Sequence, residues 1–177
     1  TRLWDAALPP RHDALHPVDP VAFAPDDADS VAPFDVLLIP GTFSTGFDRL
    51  AESLAADGYD LRLVGGPDWE AVPAMGPYAA AADLVICTGF SSIAEAAVAG
   101  TPVIVTPVID CQHGIGDRID RYGVEGIAVA RSADAVRARV RDPPPAPEFE
   151  NGAPAVATRL REWLDTAARA RCGRSPT

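Results

Sequence analysis

The sequence contains no lysine, so every cationic side chain is an arginine or a histidine. Acidic residues are in excess, and the 177 residues carry a formal net charge of −10. Nucleic acids are bound by basic faces that neutralise phosphates, and anionic lipid surfaces likewise attract basic segments. The composition therefore argues against nucleic acid, and against an anionic membrane surface, as a partner.

Cysteine and long apolar runs are also scarce. The three cysteines, Cys87, Cys111 and Cys172, lie far apart and form no Cys-x-x-Cys pair. This pattern fits free thiols in a reducing compartment better than a disulfide framework or a zinc site. No apolar run approaches the roughly 18 to 20 residues that a membrane-spanning helix needs, and no signal peptide is recognisable. We therefore expect a cytoplasmic protein without a membrane span.

Proline is concentrated towards the two ends of the chain and suggests how it is divided. Residues 1–33 read as a Pro-rich extended lead-in, with one short strand at Val21–Ala24. Residues 34–142 carry the apolar runs of a compact domain, and a Pro-rich linker follows at 143–153. Residues 154–177 form a terminal helix and tail. The helical spacing predicts a buried face made of Val156, Leu160, Trp163, Leu164 and Ala167.

Within the central part, short apolar runs alternate with helical patterns. The first run, Phe34 to Ile39, is continuously apolar and predicts a buried strand. Strands that alternate with helices of roughly ten residues indicate βαβ units and a doubly wound, Rossmann-like, mostly parallel sheet of the α/β class. In such sheets ligands bind beyond the carboxyl ends of the strands. The turns after Ile39, Ile86 and Val105 should then lie along one edge.

The segment from Ala82 to Gln112 is the most informative part of the sequence. It reads as strand, glycine turn, helix, strand and polar loop. A glycine turn at a helix N-terminus presents unpaired N–H groups and the positive end of the helix dipole to an anion. Glu95, one turn into that helix, is placed to reach a sugar hydroxyl. Together these features suggest a phosphorylated ligand that contains ribose.

These residues resemble the carboxyl-terminal, donor-binding half of a GT-B glycosyltransferase. The resemblance covers about Asp35 to Ala130 and is similar in kind to glycosyltransferase family 28 and the UDP-glycosyltransferase group. It implies a hexosyltransferase domain that binds a nucleotide-sugar, with UDP-N-acetylglucosamine one candidate, and needs no separate cofactor. The acceptor, a lipid-linked or small molecule, would be held by another domain or subunit. We expect no metal site, because fixed N–H groups and helix dipoles can stabilise the diphosphate without a metal.

The resemblance also implies individual donor-binding residues. It places the diphosphate at the turn that precedes the central helix, the ribose at Glu95, and the nucleobase at the backbone of Val72. An earlier glycine loop would lie near the phosphates, and Gln112 would contact the donor sugar, with His113 beside it. The predicted donor-binding residues are Gly41, Thr42, Ser44, Thr45, Gly46, Val72, Gly89, Phe90, Ser91, Ser92, Glu95, Gln112 and His113. No catalytic base can be named.

Several alternatives stay open. A nucleotide-sugar epimerase and a non-catalytic nucleotide-sugar module would share the same pattern. The chain begins with Thr1, and a truncated protein, a subunit that works with a separate acceptor-binding chain, or a binding module would each fit. Cys111 and His113 could also be read as a nucleophile and its base, although sequence neighbours seldom have the required geometry and no third orienting residue is evident.

Overall fold

The computed structural model describes residues 18–23, 31–41, 46–66 and 69–172 of the chain. Within these ranges five strands form one sheet in the order β2-β1-β3-β4-β5, and all neighbouring strands are parallel. The doubly wound, Rossmann-like α/β architecture predicted from the sequence is confirmed. The strands are β1 (Phe34–Ile39), β2 (Leu61–Leu63), β3 (Ala82–Cys87), β4 (Val103–Val105) and β5 (Ile127–Val129).

Helices connect the strands and cover the sheet. The last helix follows the Pro-rich segment and contributes none of its described side chains to the two core clusters of the sheet. The helices are α1 (Phe47–Ala56), α2 (Gly76–Ala81), α3 (Phe90–Ala99), α4 (Asp110–Tyr122), α5 (Ala133–Arg141) and α6 (Ala153–Cys172).

Both faces of the sheet are buried. Leu37 and Ile39 of β1 pack in a cluster with side chains of α2, α3 and α4. Val36 and Leu38 point the other way and pack with α1 and α5. Because both faces are covered, each strand can be apolar at successive positions, which explains the continuous apolar runs in the sequence. The chain leaves β1 towards one face and β3 towards the other, so the winding reverses between these two neighbouring strands.

The Pro-rich segment at 143–153 packs against the domain. Pro147 is buried beside Gly126, the residue that precedes β5. A Cβ atom added to Gly126 would lie 2.5 Å from Cβ of Pro147, so only glycine allows this approach. Phe149 packs partly into the cluster that contains α2, α3 and α4. The segment therefore packs against the amino end of β5.

The lead-in is tied to the start of α6 by a side-chain amide. Ala22 donates its N–H to Oδ1 of Asn151 (3.3 Å), and its carbonyl accepts from Nδ2 of Asn151 (2.9 Å). The strand expected at Val21–Ala24 is therefore wrong for residues 21–23, which have no partner strand because Asn151 satisfies the backbone instead. Ala24 lies outside the described residues.

The predicted inward face of α6 is wrong as well. Leu160, Trp163 and Leu164 are 55%, 67% and 57% exposed, and Val156 is half-buried. The helix has the expected amphipathic spacing, but α1 to α5 already occupy both faces of the sheet, so no described core surface remains for its apolar side. The side chain of Ala167 lies outside the described residues.

Candidate functional site

Two glycine turns lie side by side at the carboxyl edge of the sheet. The pairing of β1 with β3 ends at Ile39 and Cys87, after which the two chains enter their turns. Thr88 then donates from its hydroxyl to the carbonyl oxygen of Pro40, 2.9 Å away. Thr88 is only 2% exposed, so this bond is shielded from water. It holds the turns that contain Gly41 and Gly89 next to each other.

This position is the topological switch point of the sheet. The strand order β2-β1-β3 places β1 and β3 as neighbours, while α1 and α3 leave them towards opposite faces. Such a divergence opens a crevice outside the carboxyl ends of the two strands, where ligands of doubly wound proteins bind. The turns singled out in the sequence therefore meet at the place where the topology alone would put a ligand.

The helices that flank the crevice begin at glycines. Gly46 precedes α1 and Gly89 precedes α3, and neither residue has a side chain that could cap its helix. The first N–H groups of a helix have no partner within the helix. By contrast, α5 is capped by Ser132, whose Oγ accepts from the N–H of Ala135 (3.2 Å). Gly46 and Gly89 thus supply no side-chain cap at the two helix starts beside the crevice, and a helix start of this kind suits an anion.

Gly89 gives access to the start of α3. It adopts an extended conformation (φ −116°, ψ 159°), which any residue can adopt. No described atom lies within 4 Å of the position that a Cβ would take there. Ser91 is exposed, Ser92 is half-buried, and Phe90 is 40% exposed at the first helical position. The predicted diphosphate contacts thus border open space.

Glu95 lies on the same side of α3 as the two serines. It follows Ser92 by three residues and Ser91 by four, spacings that bring side chains together on a helix. The side chain is half-buried, and this burial raises the pKa of its carboxyl group. Among the described residues it forms no recorded hydrogen bond or ion pair. A partly desolvated carboxylate without a partner is a suitable acceptor for the hydroxyls of a ligand.

The earlier glycine loop is described only at its ends. Gly41 has φ +63° and Gly46 has φ +87°, conformations that favour glycine at both positions. A Cβ on Gly41 would lie 3.6 Å from Oγ1 of Thr88, so this turn contacts the β3 turn directly. Thr42, Ser44 and Thr45, which were also predicted to bind the donor, lie outside the described residues.

Val72 belongs to the connection that follows β2. Its side chain is half-buried against the cluster that contains α2, α3 and α4, so only its backbone would be free to meet a base. The same connection reaches the crevice earlier, because a Cβ on Gly66 would lie 3.3 Å from Cγ of Pro40. The β2 turn therefore borders the β1 turn, and the prediction for Val72 stays a prediction.

Gln112 and His113 lie in a helix, which corrects the expectation of a loop there. The sequence indicated a polar loop up to Gln112, but α4 already begins at Asp110. The physical reason is the Gln112 side chain. Its Oε1 accepts the N–H groups of Val108 (2.8 Å) and Ile109 (3.3 Å) and so satisfies the start of the helix. Gln112 is 8% exposed and His113 is exposed.

Cys87 and Cys111, the two cysteines with described side chains, do not form a reactive pair with His113. Cys111 and His113 are two residues apart on α4, a spacing that directs side chains to different sides of a helix. Cys87 is fully buried at the end of β3, and burial raises the pKa of its thiol to about 12. The geometry thus offers no nucleophile and base from these residues.

A cavity of about 480 Å³ lies at the other end of the sheet. It is lined at the amino ends of β1 and β3 by three carboxylates, those of Asp35, Asp57 and Asp83. Three carboxylates repel an anionic ligand, so the cavity does not suit the phosphorylated ligand predicted from the sequence.

Solved structures similar to this chain are glycosyltransferases. The glycosyltransferase SnogD from Streptomyces nogalater is 22% identical with a TM-score of 0.46, over 68% of this chain and 38% of its own. Os79 from O. sativa, solved with UDP, is 18% identical with a TM-score of 0.49, over 68% and 34%. The spinosyn rhamnosyltransferase SpnG, solved with thymidine diphosphate, is 18% identical with a TM-score of 0.47, over 73% and 43%.

These similarities are remote, and they cover part of each protein. The chain matches about two fifths or less of SnogD and Os79. No protein-family model matches the sequence, and no curated protein does. Among the described helices, none is both long and apolar enough to cross a membrane.

Proposed function

We propose that this chain is the donor-binding domain of a GT-B glycosyltransferase. It binds a nucleotide-sugar at the crevice between the β1 and β3 turns and presents the sugar to an acceptor held by another domain or subunit. The ligand is a UDP-sugar in this proposal, with transfer of a hexosyl group. UDP in the Os79 structure and thymidine diphosphate in the SpnG structure are of the same ligand class.

One observation carries the proposal. The two glycine turns predicted to hold the phosphates are adjacent, joined by the bond from Thr88 to Pro40, and they lie at the switch point of the sheet. The N-termini of α1 and α3 lie beside them, each preceded by a glycine that supplies no side-chain cap, and the positive ends of the helix dipoles favour an anion there. A diphosphate placed there accepts from backbone N–H groups without needing a lysine, which this sequence does not contain.

The remaining donor contacts follow from the positions of three side chains. Glu95 accepts the ribose hydroxyls, because it is half-buried, without a recorded partner, and one turn from the phosphates. The Oε1 atom of Gln112 holds the start of α4. Its amide nitrogen then serves as the donor to the sugar, and the exposed His113 lies beside it.

The chemistry of such a site is stabilisation of a leaving group. As the bond from the sugar to the diphosphate breaks, negative charge grows on the nucleoside diphosphate and the anomeric carbon becomes cationic in character. Fixed N–H groups and helix dipoles stabilise that growing charge without reorganising. In this proposal the acceptor-binding domain or subunit also supplies the base that deprotonates the acceptor hydroxyl, so this chain alone is expected to bind donor and to transfer poorly.

Calorimetric titration tests the proposal. The purified chain is titrated with UDP, UDP-N-acetylglucosamine, UDP-glucose, GDP and TDP, and adenosine triphosphate serves as a control for nonspecific phosphate binding. Saturable binding of one nucleoside diphosphate or its sugar conjugate, with little heat from the control, supports the donor site. The nucleotide that binds identifies the nucleobase. No binding to a demonstrably folded sample would contradict the proposal. Products are analysed separately after incubation with the UDP-sugars. Release of UDP together with an epimerised sugar would favour the epimerase instead.

A further inference from the structure

We infer that Thr88 is a positioning residue for the proposed nucleotide site, holding the β1 and β3 turns at the separation that the diphosphate requires. The inference rests on the proposed function and adds a residue that the sequence pattern did not single out as part of the site. Thr88 touches no substrate in this account. It acts through Gly41 and Gly89, the glycines of the two turns.

The hydroxyl of Thr88 extends the sheet by one bond beyond its last backbone pair. The register of β1 and β3 ends at Ile39 and Cys87, and the carbonyl of Cys87 is already bonded to the N–H of Thr106 (2.8 Å) on the β4 side. On the β1 side the next residue is Pro40, which has no N–H to donate. Its carbonyl accepts the side chain of Thr88 in place of a backbone group.

Both turns depend on this bond for their relative position. Gly41 has φ +63°, so its backbone reverses directly after the accepting carbonyl. A Cβ at Gly41 would already touch Oγ1 of Thr88, at 3.6 Å. On the other side, Gly89 follows Thr88 in the chain and begins α3. Movement of Thr88 therefore shifts one turn against the other, which changes the spacing between two sets of backbone N–H groups.

The chain supplies a matched control at the opposite edge. Thr101 is 4% exposed, and its hydroxyl donates to the carbonyl of Ala79 at 2.6 Å. Thr88 and Thr101 thus share residue type, burial and bond type, but Thr101 lies just before the amino end of β4. Loss of either hydroxyl removes one buried hydrogen bond from the folded state. Only the loss at Thr88 lies at the crevice.

The experiment compares Thr88→Val, Thr88→Ser and Thr101→Val with the wild type. UDP binding is measured by calorimetry, stability by urea unfolding, and the exchange of backbone amides by mass spectrometry without ligand. We expect Thr88→Val to weaken UDP binding about tenfold and to speed amide exchange in the residues that follow β1 and β3, as expected for loss of a buried polar contact. Thr101→Val should lose comparable stability with unchanged binding, and Thr88→Ser should restore binding to within about threefold.

The outcomes separate this inference from the proposed function. If the folded wild type binds no nucleotide, the proposed function fails, and the role of Thr88 in binding fails with it. If the wild type binds but both valine variants lose affinity equally, or Thr88→Val binds normally, the role of Thr88 is overturned while the proposed function stands. Slow exchange at both turns in Thr88→Val would likewise overturn the positioning role. If Thr88→Val does not fold, Thr88→Ala takes its place as the variant without the hydroxyl. Its UDP affinity and amide exchange are then compared with those of Thr88→Ser, and the same outcomes decide.

Discussion

The two edges of the sheet are built in opposite ways. At the amino edge a proline-containing segment packs over the start of β5, and Pro147 lies so close to Gly126 that no side chain would fit. At the carboxyl edge the turns after β1 and β3 are glycine-containing, and the helix that follows β3 begins without a side-chain cap. At the amino edge Pro147 packs against the start of β5, whereas the proposed function has backbone groups at the carboxyl edge meet a ligand.

Charge distinguishes the two edges as binding sites. The cavity of about 480 Å³ lies at the amino ends of β1 and β3, where it is lined by Asp35, Asp57 and Asp83. At the carboxyl edge the backbone N–H groups of α3 offer the opposite polarity. If the comparison is right, changes at the amino edge should alter stability and changes at the carboxyl edge should alter nucleotide binding.

The largest expected effect comes from Gly126→Ala at the amino edge. The new Cβ would lie 2.5 Å from Cβ of Pro147, and Gly126 has φ +80°. Overpacking and a left-handed backbone at alanine should together lower the free energy of unfolding by about 3 kcal/mol. Urea unfolding measures this. UDP affinity of the folded protein should not change.

Gly123→Ala is the matched control for that variant. Gly123 has φ +59°, but no described atom lies within 4 Å of its would-be Cβ. Only the backbone strain remains, so we expect a loss of about 1 kcal/mol. Equal losses in the two variants would show that the packing of Pro147 contributes nothing.

Glu95→Gln is the next largest change, and it acts at the carboxyl edge. Replacing the half-buried carboxylate should weaken UDP binding by about 1 to 3 kcal/mol, because charge-assisted hydrogen bonds to the ribose are lost. Calorimetry measures the affinity, and Glu52→Gln on the exposed side of α1 serves as the control. A folded Glu95→Gln protein with wild-type affinity would remove Glu95 from the site.

Salt should change UDP affinity less than Glu95→Gln does, and it should strengthen binding rather than weaken it. The chain has a net charge of −10 and no lysine, so it repels a nucleoside diphosphate at long range. Raising salt from roughly 0.1 M to 1 M shortens the Debye length from about 10 Å to about 3 Å. We expect UDP binding to tighten about two- to threefold, while binding of uncharged uridine changes little. Weaker binding of UDP in salt would contradict this, because screening of the local attraction by the helix dipoles would then outweigh screening of the long-range repulsion.

The smallest effect is a dependence of stability on pH. Burial raises the pKa of Glu95 above its ordinary value of 4.5, so the folded protein holds this proton more tightly than the unfolded chain. Stability from this group is then lost as pH rises from about 4.5 through the raised pKa. Over that pH range, the free energy of unfolding of the wild type should fall relative to that of Glu95→Gln, because glutamine does not titrate. A difference that does not vary with pH would contradict the burial of Glu95.

The sequence predicted the sheet and its glycine turns because those features are local. Continuous apolar runs mark strands buried on both faces, and glycines mark the turns. It did not reveal that Gln112 caps α4, since that depends on a side chain folding back on its own helix. Nor did it reveal that the apolar side of α6 is exposed. Periodicity indicates an apolar face but not whether a surface remains to cover it.

Residues that act between distant segments were the hardest to predict. Asn151 replaces a partner strand for Ala22 across 129 residues of sequence. Thr88 bonds to Pro40 across 48. In both cases a short polar side chain stands in for a missing backbone group, and nothing in either local sequence names its partner. A threonine directly between an apolar strand and the glycine of its turn is the sequence signal that could have drawn attention to Thr88.

Amide hydrogen exchange with and without saturating UDP tests the central claim most directly, because it reads both edges in one experiment. The account predicts slowed exchange in the turns after β1 and β3 and in the first turns of α3, including Ser92 and Glu95. It predicts no change around Asp57 to Tyr59, which line the cavity at the amino edge. Protection confined to that cavity, or no protection at either turn in a protein that binds UDP, would contradict the account.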